Sequence, residues 1–185
     1  MRSNFNRWNR LFLFAFGLFI AAAFAMKWME SDLVYNNEVY NNEKISIFGL
    51  ELFYPKEKII EIFSGINDKV RTILNYHLSF DFIFMAGCYP GIACLCMMAA
   101  EKIRSKKIKR LLVIVAFLQL FGWVFDIIEN YYLLKWLKQP IIGNEFRFYH
   151  LIVYSKWAIA LSGALLGLST LVGTLFKRKN PKSVI

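Results

Sequence analysis

Three polar residues interrupt the most apolar stretch of the sequence. Asp126, Glu129 and Asn130 lie in the second half of residues 111–134, which are otherwise almost entirely apolar. Their three- and four-residue spacing places them on one face of a helix. An acidic side chain near the centre of a bilayer costs about 3 kcal/mol, so this face is expected to contact protein or water. A carboxyl group in apolar surroundings can serve as a general base, and Asp126 and Glu129 are the candidates for that role.

Two other apolar stretches carry ionisable residues. Asp81 lies near the start of residues 78–100, and Lys156 lies in the first third of residues 149–176. Lys156 shares one helical face with small residues that permit close helix contact, namely Ala160, Gly163 and Gly167. If this small-residue face points into a helix bundle, Lys156 points inward as well.

Counted from the ends of their stretches, Asp81, Asp126, Glu129 and Lys156 are expected at one level of the membrane. One lysine neutralises one carboxylate, so the surplus acids must be protonated, hydrated, bound to a cation or close to a histidine. The further candidates for ligand binding are polar or aromatic residues near the same level: Asn130, Tyr89, Tyr154, His77 and His150. The histidines lack the tight spacing of known zinc motifs, so no metal site is predicted and the cofactor is unknown.

The composition indicates the class of protein. The 185 residues are 57% hydrophobic and 17% aromatic, whereas the apolar share of a soluble domain is nearer to about 45–50% even with glycine included. The sequence therefore predicts an all-α polytopic membrane protein, a four-transmembrane-helix bundle formed by residues 1–185 as one domain. The predicted spans are residues 11–29, 78–100, 111–134 and 149–176.

Basic residues are distributed unevenly among the connections, although the net charge is +10. Thirteen Lys and Arg residues and one acid lie before the first span, between the second and third, and after the fourth. The two other connections carry nine basic and nine acidic residues. By the positive-inside rule, both termini are cytoplasmic in a bacterial inner membrane. Membrane lipids are the expected partners, and nucleic acid is not.

The first span allows a second interpretation. Small residues at Ala23 and Ala25 follow a short apolar body, as at the end of a secretory signal peptide. Cleavage after Ala25 would leave three spans and an external N-terminus. An uncleaved anchor is the preferred interpretation, with Trp28 at the membrane interface.

The longest connection, residues 30–77, is predicted to be extracytoplasmic. Its first half contains Asn36, Asn37, Asn41 and Asn42 and is predicted to be irregular or weakly extended. Apolar residues then recur at helical spacing, which predicts an amphipathic helix over residues 55–76, with a break at Gly65 as an alternative. This helix either packs its apolar face on the spans or acts as a lid over a site.

The order of these elements resembles a group of small bacterial four-span membrane proteins without an established activity. The resemblance depends on Phe48 and Glu51 before the amphipathic helix, on Asp81 with Phe84 and Tyr89, and on the D-x-x-E-N motif at Asp126 to Asn130. It implies the same four-span architecture and no particular function.

Three classes of function agree with these features. The preferred one is binding or processing of an amphipathic, lipid-like molecule at the Asp/Glu/Lys cluster in the outer leaflet. The alternatives are a scaffold or regulatory membrane subunit, and a small proton- or cation-coupled transporter or channel that acts as an oligomer. The small-residue face of the fourth span is the candidate surface for a homo-oligomer.

Overall fold

The computed structural model describes residues 7–35 and 43–179. Arg2, Lys182 and the asparagines 36, 37, 41 and 42 lie outside the described residues. The elements in chain order are α1 (Arg7–Glu30), β1 (Val34–Tyr35), β2 (Glu43–Lys44), a π-helical turn (Gly49–Phe53), α2 (Lys56–Gly65), α3 (Asp68–Lys102), α4 (Lys106–Lys138) and α5 (Glu145–Lys179). Within the described part, the chain is an all-α four-helix bundle, which confirms the predicted fold class.

The helices α1, α3, α4 and α5 are each long and apolar enough to cross a membrane. Each extends beyond the predicted span at both ends. We call the end of the bundle that carries β1, β2, the π-helical turn and α2 the loop end. We call the opposite end, where α3 connects to α4 between Lys102 and Lys106, the basic end.

Helix α3 is the centre of the bundle, because it packs against α1, α4 and α5. Helices α4 and α5 also pack against each other. In the described part of the chain, α1 packs extensively against α3 and makes no comparable contact with α4 or α5. A gap therefore separates α1 from α5 along one side of α3.

Two glycines of α3 face α1, and they differ in how tightly α1 approaches them. A Cβ atom on Gly87 would lie 2.5 Å from the backbone nitrogen of Phe19 and 2.8 Å from the carbonyl oxygen of Ala15. A Cβ atom on Gly91 would lie 3.7 Å from the Cβ of Ala15, which is an ordinary contact. Backbone atoms of α1 cannot move aside as a side chain can, so the glycine at 87 permits this helix contact.

The loop end is covered by an apolar layer. The apolar face of α2, with Ile59, Ile62 and Phe63 buried, belongs to one cluster with Leu74 and Trp136. The helix predicted over residues 55–76 is divided, since α2 ends at Gly65 and α3 begins at Asp68. The side chain of Asn67 caps α3 by accepting a hydrogen bond of 2.9 Å from the Val70 amide, which explains the start of the new helix.

Arg71 fastens this layer to the bundle. Its guanidinium donates to the carbonyl oxygen of Phe63 at 2.9 Å and to that of Leu137. These carbonyls lie in the last turns of α2 and α4, where the backbone acceptors have no partner within the helix. α2 therefore packs its apolar face on the spans, as one of the two interpretations of the sequence predicts.

We expect Gly87→Ala to lower the stability of the bundle by about 1–3 kcal/mol, because the added methyl group would overlap backbone atoms of α1. Gly91→Ala is the matched control: it makes the same change on the same helix, where the methyl group has room. Thermal unfolding of both variants in one detergent measures the difference. Equal midpoints for the two variants would contradict the described contact between α1 and α3.

Candidate functional site

The ammonium group of Lys156 is the centre of a buried polar cluster. Lys156 is 5% exposed, and its Nζ lies 2.6 Å from Glu129 Oε2, 2.7 Å from Asp126 Oδ1 and 3.3 Å from Glu51 Oε2. The contact with Glu129 is an ion pair without the angles of a hydrogen bond. One cation thus faces three carboxyl groups from α4 and the π-helical turn.

The packing of α5 explains why Lys156 points inward. A Cβ atom on Gly163 would lie 2.4 Å from Gln119 Nε2, and one on Gly167 would lie 3.0 Å from Leu95 Cγ. Lys156 lies on the same helical face as these glycines and is buried with them, as the sequence predicts. At these two glycines the face packs on α3 and α4 of the same chain.

Glu51 joins the cluster from outside the long helices. The Trp157 indole donates to Glu51 Oε2 at 3.0 Å, and the Tyr149 hydroxyl donates to the carbonyl oxygen of Leu50 at 3.1 Å. The ring of Tyr54 covers Gly49, where a Cβ atom would come within 2.3 Å of it. These contacts hold the π-helical turn so that Glu51 reaches Lys156.

Sequence reasoning did not include Glu51 or Trp157 among the site residues. A turn of five residues has no apolar periodicity from which its buried side can be predicted. The available signal was the pair Phe48 and Glu51, on which the resemblance to four-span bacterial proteins depends. Phe48 packs on Trp157, with ring centroids 5.5 Å apart.

Two further hydrogen bonds lie close to the Lys156 cluster. The Tyr89 hydroxyl donates to Asp126 Oδ2 at 2.8 Å, so both oxygens of Asp126 have partners. The Asn130 amide donates to Asp81 Oδ2 at 2.6 Å. Within the described residues, no lysine, arginine or histidine forms an ion pair with Asp81.

A cavity of about 410 Å³ lies beside the cluster, between α1, α3 and α5 and below the π-helical turn. The charged side chains of Glu51, Asp81, Asp126 and Lys156 line its part near the loop end. Apolar side chains line the rest, among them Phe19, Phe84, Ile92, Leu161 and Ala164. The cavity therefore has a charged part and an apolar part.

The structure brings most of the predicted site residues together. Tyr89, Asp126, Glu129 and Lys156 form one connected set of contacts, and Asp81 and Asn130 form a separate pair. Glu129 lies behind Lys156 and is not among the residues that line the cavity. His77 lines the cavity at 2% exposure, and neither of its ring nitrogens has a hydrogen-bond partner.

Two predicted residues lie elsewhere. His150 packs on the ring of Phe146 at 4.4 Å, and Tyr154 is 54% exposed with its hydroxyl 3.4 Å from the Leu52 carbonyl oxygen. Neither lines the cavity. Tyr154 precedes Lys156 by two residues, which places it about 200° around the helix. His150 and Tyr154 are close to Lys156 in the sequence, but they lie on other faces of α5.

The described ranges 7–35 and 43–179 contain no group of three His, Cys, Asp or Glu residues arranged to hold a metal ion. The position between Glu51, Asp126 and Glu129 is occupied by the Lys156 ammonium. Cys88, Cys94 and Cys96 are not bonded to one another. Of the carboxyl groups that line the cavity, that of Asp126 lies nearest to the Lys156 ammonium, at 2.7 Å.

Comparisons of the chain with protein-family models, with curated proteins and with solved structures find no match.

We expect Lys156→Met to lower stability by about 3–5 kcal/mol, because it leaves buried carboxyl groups without their cation. The double variant Lys156→Met, Glu129→Gln should lose less, since one of the unpaired charges is removed with the lysine. Lys27→Met is the control, because its ion pair with Glu30 involves a lysine side chain that is 81% exposed and such pairs contribute little. A thermal unfolding midpoint for Lys156→Met that is no lower than the midpoint for Lys27→Met would contradict the assigned role of the buried ammonium.

Proposed function

We propose that this protein binds an amphipathic, lipid-like molecule in the cavity between α1, α3 and α5. The observation that carries the proposal is the division of the cavity wall into a charged part at the loop end and an apolar part toward the basic end. A headgroup would contact the charged part, and an alkyl chain would occupy the apolar part. The volume of about 410 Å³ falls in the range of about 300–1,000 Å³ that is usual for ligand sites.

The position of α1 supports entry from the bilayer. Because α1 packs on α3 and not comparably on α5, the cavity lies in the gap between α1 and α5. At 1.5 Å per residue, the lining of α3 from His77 to Ile92 extends for about 22 Å, and that of α5 from Lys156 to Ala164 for about 12 Å. An alkyl chain could therefore enter from the bilayer between α1 and α5 without leaving apolar surroundings.

We further propose that the protein lies in the bacterial cytoplasmic membrane with both termini in the cytoplasm. The basic end carries the excess of Lys and Arg, including the run Lys106, Lys107, Lys109 and Arg110. By the positive-inside rule this end is cytoplasmic, so the loop end is extracytoplasmic. The charged part of the cavity would then be at the level of the outer leaflet.

Binding is the part of the proposal that the geometry supports best. Of the two candidate general bases, Asp126 lines the cavity and Glu129 does not. Both oxygens of Asp126 already accept hydrogen bonds, from Tyr89 and Lys156. If the molecule is also processed, Asp126 is the carboxyl group in a position to act on it.

A scaffold or regulatory subunit is the second candidate, and the exposure of α1 favours it. Phe14, Phe24 and Trp28 are each more than 70% exposed, which suits contact with lipid or with another membrane protein.

The transport alternative has less support. Toward the basic end the bundle interior is an apolar cluster that includes Cys96, Ala100 and Leu112, and among the described residues no buried polar side chain continues a path beyond Gln119.

The proposal predicts a lipid-sized adduct when the protein is released gently from its own membranes and weighed by native mass spectrometry. Ala160→Phe should reduce the occupied fraction by about tenfold or more, because the new ring fills the cavity. Ala158→Phe, at an exposed position of the same helix, should leave the adduct unchanged.

A bare mass for the wild-type protein, both as released and after addition of membrane lipid extract, would contradict the proposal and favour the scaffold function. An adduct that persists equally in Ala160→Phe and Ala158→Phe would place the bound molecule on the outer surface instead of in the cavity. Thermal unfolding of both variants shows whether each one is folded.

A further inference from the structure

We infer that the headgroup bound in the cavity is an ammonium group, so that the ligand is a cationic or amine-bearing amphiphile. This inference depends on the proposed function, since it specifies the chemistry of the molecule that the cavity binds. The charges that line the cavity, one buried histidine and two aromatic rings support it.

The charges that line the cavity are predominantly negative. The lining includes two lysines, Lys27 and Lys156, and the carboxyl groups of Glu30, Glu51, Asp81 and Asp126. Lys27 is paired with Glu30 at 2.5 Å, and Lys156 is shared by Glu51, Asp126 and Glu129, of which Glu129 does not line the cavity. Asp81 therefore faces the cavity with an amide partner, Asn130, and without a cation among the described residues. Asp81 is half-buried, and a carboxylate that is partly shielded from water is stabilised by a cation in contact with it.

His77 provides the second, independent observation. It lies one helical turn before Asp81, and both side chains line the cavity. The imidazole is 2% exposed, and both of its ring nitrogens lack a hydrogen-bond partner. Buried polar groups in native proteins nearly always have such a partner. Both nitrogens are buried in this structure, so a ligand in the cavity would reach one of them after a rotation of the imidazole ring.

An ammonium group can pair with both residues, through the acceptor nitrogen of His77 and through the carboxylate of Asp81. It donates up to three hydrogen bonds and carries the positive charge of an ion-pair partner for Asp81. A neutral imidazole has one nitrogen that accepts a hydrogen bond, so His77 and Asp81 together form an acceptor pair on one face of α3. Asp81 also gives the headgroup an ion pair in surroundings where such pairs are strong.

Two aromatic rings at the same part of the cavity suit a cation as well. Phe48 and Trp157 both line the cavity, with ring centroids 5.5 Å apart. The Trp157 ring already lies 5.7 Å from the Lys156 ammonium, which is within the distance of a cation–π interaction. An anionic headgroup would instead meet four carboxyl groups and two lysines that are already paired.

The test uses three probes of one chain length, dodecylamine, dodecanol and dodecyl phosphate, with the full-length protein in nanodiscs of uncharged lipid. Native mass spectrometry measures the occupancy of each probe at pH 7, with the cavity-filling variant Ala160→Phe as the background. We expect dodecylamine to bind at least about tenfold more tightly than dodecanol, and dodecyl phosphate to bind no better than dodecanol.

The variant Asp81→Asn keeps an acceptor for Asn130 and removes the charge, so it should abolish the preference for dodecylamine and leave dodecanol binding unchanged. If Asp81→Asn does not fold, as judged by thermal unfolding, Glu51→Gln is the second variant and should reduce the same preference. A preference for dodecylamine that survives in both folded variants would overturn the assignment of the headgroup to these carboxyl groups.

The two proposals fail in different ways. Equal binding of dodecylamine and dodecanol, lost for both in Ala160→Phe, would overturn the ammonium inference and support the proposed function. Tighter binding of dodecyl phosphate would also overturn the ammonium inference alone. Absence of all three probes from the wild-type protein would contradict the proposed function, and the ammonium inference with it.

Discussion

The neutralisation of buried carboxyl groups by Lys156 is the interaction on which the rest of the structure depends. Desolvation of an ammonium and of carboxylates costs several kcal/mol each, and this cost is recovered only when the charges are in direct contact. Lys156 makes such contacts with Asp126 and Glu129 of α4 and with Glu51 of the π-helical turn. A single side chain therefore links α5, α4 and the π-helical turn.

The same cluster contains more negative than positive charge, and the surplus lies on the side of the cavity. An interaction that served packing alone would be more stable with matched charges or with apolar residues of similar volume. Departures from local rules of this kind are expected at functional sites, where stability is lower than the fold alone would permit. Asp81 and His77 are such departures: among the described residues, Asp81 has an amide partner but no ion pair, and the ring nitrogens of His77 have no hydrogen-bond partner.

The separation of α1 from α5 leaves a cavity beside these charged residues. Close contact at Gly87 holds α1 on α3, and α1 therefore forms a wall of the cavity instead of filling it. At the loop end, Arg71 and the apolar face of α2 hold the covering layer in place. The cavity itself is lined at the loop end by Phe48 and Glu51, and the turn that carries Glu51 is held by hydrogen bonds from Tyr149 and Trp157.

The amino-acid sequence by itself determined the four long apolar helices, the polar face of α4 and the inward direction of Lys156. Each of these follows from periodicity or composition within one element, because a charged or small residue restricts the face on which it lies. The contribution of Glu51, the outward position of Tyr154 and the gap between α1 and α5 depended on the tertiary structure. A π-helical turn has no periodicity to read, and residues at one depth in the membrane can lie on opposite faces of a helix. Which helices become neighbours is decided by contacts between residues far apart in the chain, such as Gly87 with Phe19 and Tyr149 with Leu50.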